Sequence, residues 1–89
     1  MSKILVAYTM KGCGWCDDFK KMLKENNIKF KNRDIEKYKE EHDLFIEVKN
    51  DYVPAFMIVD PKTESAELFA PDIDFDGLEN ALTIIKEKM

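Results

Sequence analysis

Cys13 and Cys16, with Gly14 and Trp15 between them, are the residues of this chain best suited to chemistry, and no other cysteine is present. Thiols at that spacing exchange with a disulfide or close one of their own. The apolar run from Ile4 to Tyr8 before the motif and the helical period after it place the pair where a buried strand turns into a helix. At a helix start, unpaired backbone N–H groups and the positive end of the dipole favour thiolate, holding a cysteine below its ordinary value of about 8.5. Cys13 is then the nucleophile. Cys16, one turn later and held more deeply, is suited to resolve a mixed disulfide. The competing readings are a structural pair of buried thiols and a zinc half-site. Zinc would need two further ligands, and the one histidine, His42, falls on the outer, solvated face of a predicted helix. No metal is expected.

Seven elements are needed to position that pair. Lys3 to Tyr8 reads as a central strand covered on both faces. From Gly14 to Asn26 the apolar residues Trp15, Cys16, Phe19, Met22 and Leu23 recur at helical spacing. Ile28, Phe30 and Asn32 alternate with Lys29, Lys31 and Arg33, a pattern that suits an edge strand. Asp34 is placed to cap a second helix, Ile35 to Lys49, whose stripe is Tyr38, Phe45 and Val48. Val53 to Val59 and Ala66 to Ala70, joined through an Asp60-Pro61 turn, form an antiparallel hairpin. Asp76 with Glu79 has the form of a capping box ahead of Leu78, Leu82, Ile85 and Met89. The order β-α-β-α-β-β-α predicts an α/β domain: one mixed four-stranded sheet, its first two strands parallel, with helices on both faces.

Eighty-nine residues support a single domain, 1–89, with one modest core. Apolar residues make up 45% and charged residues 36%, which argues against intrinsic disorder. The apolar run of Ile4 to Tyr8 is far shorter than a membrane span or a signal-peptide core requires, so no membrane association and a cytoplasmic location are expected. A net charge of −4 disfavours nucleic acid. The charge is unevenly spread, however, at +5 over residues 1–33 and −9 over residues 34–89. The molecule is expected to be bipolar.

Val6-Ala7-Tyr8-Thr9, three residues, Cys13-x-x-Cys16, and then Lys20 and Leu23 resemble the opening of a glutaredoxin, a small member of the thioredoxin superfamily. Val53-Pro54 ahead of a strand ending in Asp60 resembles the family's second landmark, and Phe75-Asp76-Gly77-Leu78 its third. The likeness spans nearly the whole chain and is of the small bacteriophage-type or bacterial dithiol kind. It implies the thioredoxin fold, thiol–disulfide exchange at Cys13 and Cys16, and a cis bond before Pro54 that faces the cysteines. The Val53 backbone would then be free to pair with an extended substrate. Asp76 aligns with an acidic residue that binds the amino group of glutathione, and Lys11 is placed to meet a carboxylate. Trp15 and Tyr8, flanking the cysteines, would shape the groove.

The chain departs from the family pattern at Gly14-Trp15, where Pro-Tyr is usual, at Tyr52, where Thr is usual, and at Ile73-Asp74, which replace a Gly pair. Asp74 beside Asp76 is expected to weaken glutathione binding by like charge, so that Asp74→Gly improves it. The resemblance implies an enzyme that reduces protein disulfides or glutathione mixed disulfides, with ribonucleotide reductase among the family's clients. Glutathione or thioredoxin reductase would recycle it, with no tightly bound cofactor and a monomeric chain. Two other classes compete. Gly14 after the first cysteine also fits a glutathione-assisted [2Fe-2S] cluster carrier, and a redox-inert interaction module would have cysteines that ignore a mild disulfide.

Overall fold

The computed structural model describes residues 3–89. Seven elements follow in the expected order: β1 (Ile4–Thr9), α1 (Gly14–Glu25), β2 (Lys31–Asp34), α2 (Lys39–Val48), β3 (Ala55–Asp60), β4 (Ser65–Phe69) and α3 (Leu78–Lys88). The strands form one sheet in the order β2-β1-β3-β4, parallel between β1 and β2 and antiparallel elsewhere. This is the thioredoxin-like α/β arrangement. No described helix is long and apolar enough to cross a membrane.

The two-residue period of a strand explains how this sheet carries helices on both faces. Leu5 and Ala7 of β1, with Phe56 and Ile58 of β3, point to one side and pack with Phe19 and Leu23 of α1 and Ala81 and Ile85 of α3. Val6, Tyr8 and Ala55 point to the other side, where Phe45 of α2 covers them. A central strand buried on both faces therefore reads as an unbroken apolar run. Phe56 is the hub of the larger side, its ring 5.8 Å from Phe19, 4.8 Å from Phe69 and 5.3 Å from Phe75.

The second helix departs most from the sequence expectation. Asp34 Oδ1 accepts the Glu36 N–H at 2.8 Å, and its carbonyl accepts from Lys37 and Tyr38, so residues 35–38 form turns and α2 begins only at Lys39. Asp34 thus closes an Asx turn and caps no helix. The rotation this imposes buries His42 and Phe45 and leaves Tyr38 and Val48 exposed, which corrects both the predicted stripe and the solvated position expected for His42. His42 is 7% exposed, and its buried Nε2 has no hydrogen-bond partner among the described residues. The capping box at α3 is also absent. Gly77 stands at its N-cap with no side-chain bond, while Asn80 Oδ1 accepts the Asp76 N–H at 3.0 Å.

Candidate redox site

Strand register gathers the site at one end of the sheet. Thr9 ends β1 opposite Asp34 of β2, and Tyr8 pairs with Ala55 at the start of β3. One step further along, that register sets Pro54 across from Thr9. Phe56 pairs with Phe69 at the end of β4, so residues 70–76 leave the sheet at the same end. The loops carrying Cys13, Val53-Pro54 and Asp76 therefore emerge side by side, with strands about 4.8 Å apart.

The cysteine loop is a tight turn. The Cys13 N–H donates to the Met10 carbonyl at 3.3 Å, and Gly12 holds φ +76°, a left-handed conformation that glycine takes without a Cβ penalty. Cys13 is the N-cap of α1 in an extended conformation, and its Sγ accepts the Cys16 N–H at 3.1 Å. The cysteines are joined in a disulfide with Cα atoms 5.2 Å apart. Cys16 is fully buried, whereas Cys13 is half-buried and Trp15 is 57% exposed. Cys13 is thus the more accessible cysteine of the pair.

The Val53–Pro54 bond is cis, as the resemblance implies. Pro54 is buried and Val53 half-buried, one and two residues before β3. Tyr8 is not in the groove. It is 1% exposed on the α2 side of the sheet, with its ring 5.0 Å from Phe45 and its hydroxyl donating to Glu41 Oε1 at 2.5 Å. Side chains alternate along β1, and Tyr8 falls on the side opposite α1. Arg33 binds the same Glu41 oxygen, also at 2.5 Å, and lies 4.9 Å over the Tyr38 ring. Burial, with help from Glu41, pushes the Tyr8 hydroxyl above its ordinary range. Burial also works against the Glu41 carboxylate, yet the bonds from Tyr8 and Arg33 outweigh it and hold the carboxyl below its ordinary value. The hydrogen bond from Arg33 to Glu41 raises the guanidinium in turn.

Lys11 and Asp76 are both exposed, but they lie on different sides of the cysteine loop. Lys11 lines a hollow with Thr9, Asn32 and Asp34, toward β2, and Asp76 lines one with Asp72, Ile73 and Asn80, beyond β4. Asp74 is not a free like charge beside Asp76. Its carboxylate accepts the Ala70 N–H at 2.9 Å and pairs with Lys49 Nζ at 3.0 Å. Asn50 adds a second tie between the same two loops, donating to the Pro71 carbonyl at 2.8 Å while its Oδ1 accepts the Tyr52 N–H at 3.2 Å. Sequence reasoning assigned no role to Lys49 or Asn50. The one available signal was the preference of Asn for side-chain-closed turns, which says nothing of a partner 21 residues away.

Among curated proteins none matches the chain. The family model described as Glutaredoxin matches residues 5–60, a span that includes the cysteine turn, α1, the cis proline and the sheet through β3. With the strand-to-helix cysteine pair at the head of this sheet, the match shows that the chain belongs to the glutaredoxin family.

Proposed function

We propose that the protein is a dithiol oxidoreductase that reduces disulfides of proteins, or mixed disulfides with glutathione. The observation that carries this reading is the unequal pair: a half-buried Cys13 whose Sγ takes a backbone N–H at a helix start, joined to a fully buried Cys16. In the reduced protein the Cys13 thiolate attacks one sulfur of the substrate disulfide, forms a mixed disulfide, and releases the first substrate thiolate. The Cys16 thiolate then attacks Cys13 Sγ and releases the second substrate thiolate. Two electrons pass to the substrate, and the Cys13–Cys16 disulfide closes. Two thiols of glutathione, or a thioredoxin reductase, return the electrons and open it again.

Val53 and Trp15 are the groups proposed to hold the substrate chain beside Cys13. Lys11 is proposed to meet a carboxylate on the β2 side. Asp76 remains the candidate for an ammonium group on the far side. The test is disulfide turnover with two recycling systems, glutathione plus glutathione reductase and thioredoxin reductase plus NADPH. Turnover with at least one of them is expected; none with either, in protein whose thiols have been titrated, contradicts the reading. A brown colour in freshly purified protein would favour the iron–sulfur carrier instead.

A further inference from the structure

The site end of the molecule exposes large apolar side chains on the first turn of α1 and on two loops, 49–54 and 70–77. Trp15 is 57% exposed, Tyr52 53% and Ile73 53%. Single exposed apolar residues are ordinary, but a group of them bordering a reactive pair is the mark of a docking surface. Tyr52 and Ile73 are also held in place, since the loops that bear them are tied by the Lys49–Asp74 pair and by Asn50. A braced apolar rim loses little freedom when a partner lands on it.

Charge identifies the partner. Asp51, Asp72 and Asp76 are exposed on these same two loops, and Asp72 and Asp76 line a hollow of about 300 Å³ with Ile73. Lys49, the cation of these loops, is neutralised by Asp74, and Lys11 lies on the β2 side. A ligand docking beyond β3 therefore meets exposed apolar side chains and exposed carboxylates that carry no ion pair among the described residues. Glutathione has two carboxylates and one ammonium, so its net charge is of the wrong sign for that margin. We propose that this surface selects an extended protein segment whose disulfide cysteine is flanked by an apolar and a basic residue, in preference to an anionic tripeptide; the proposal rests on the exchange chemistry given above.

The test uses the reduced full chain in single turnover with three synthetic peptides, each carrying its cysteine as a mixed disulfide with neutral 2-mercaptoethanol. They share a Leu before the cysteine and differ only in the residue after it, which is Lys, Ser or Glu. The Lys peptide is expected to react about five-fold or more faster than the Glu peptide at low salt, with the gap closing at high salt. Replacing its Leu by Ser is expected to slow it several-fold. In the Asp72→Asn/Asp76→Asn protein the Lys-to-Glu rate ratio should fall toward one; Asn suits position 72, where φ is +67°. A ratio of one or less in the unmodified protein, no effect of the Leu, or a ratio that survives the double substitution overturns the proposal. Failure to reduce even the neutral Ser peptide would instead overturn the exchange reading itself.

Discussion

At Cys13 a sulfur occupies the place that a serine or aspartate oxygen fills at many helix starts, accepting the Cys16 N–H at 3.1 Å. The same bond is available to a thiolate once the disulfide is opened, and the dipole end of α1 adds to it. Asp17 and Asp18 oppose this from the first turn, but Asp17 is paired with Lys20 at 3.6 Å and both are exposed and screened. Alkylation of the reduced protein against pH should place the Cys13 midpoint below the ordinary thiol value of about 8.5; a midpoint at or above it contradicts the account. Tyr8 is placed on the other side of the sheet by the two-residue period, so its role is in folding. Tyr8→Phe should lower stability by about 1 kcal/mol in denaturant unfolding and leave the exchange rate unaltered. An equal loss of rate would return Tyr8 to the groove.

The helix α2 and the loop after it show where local sequence signals compete with tertiary ones. Asp34 carries a helix-capping signal, but its side chain closes a turn, and the helix waits until Glu41 can reach Tyr8 and Arg33. Tyr8 and Arg33 stand 33 and 8 residues from Glu41, beyond the reach of helical or strand periodicity, which is why this network was not legible. A carboxyl whose folded value is depressed adds stability above its unfolded value and loses it as pH falls through the folded one. Glu41→Gln should therefore cost about 1 kcal/mol near neutral pH, discounted for partial exposure, and the difference should vanish as pH falls below the ordinary carboxylate value of 4.5. A difference that stays constant through that range contradicts the assigned cause. The Asp74 carboxylate is a brace where like-charge repulsion was expected. Asp74→Gly should lower the melting temperature, costing about 1–3 kcal/mol, without improving glutathione turnover; faster turnover at unchanged stability would restore the repulsion argument.

For the whole molecule, periodicity gave the element order and the two-sided core, because β1 and β3 are buried on both faces and α1 and α3 on one, but it misplaced the start and the buried stripe of α2. Spacing alone also singled out Cys13 and Cys16. What was not legible depends on contacts across the chain: which side Tyr8 faces, the burial of His42, and the Lys49–Asp74 tie, whose partners stand 25 residues apart. The charge asymmetry, +5 over residues 1–33 against −9 beyond, survives as an acidic margin at the site end. All of this serves one cycle, in which Cys13 attacks and Cys16 resolves. Intact-mass measurement of Cys16→Ser and Cys13→Ser after brief exposure to glutathione disulfide tests that division of labour most directly. Cys16→Ser should carry one stable glutathione adduct and Cys13→Ser essentially none; an adduct on Cys13→Ser with none on Cys16→Ser would contradict it.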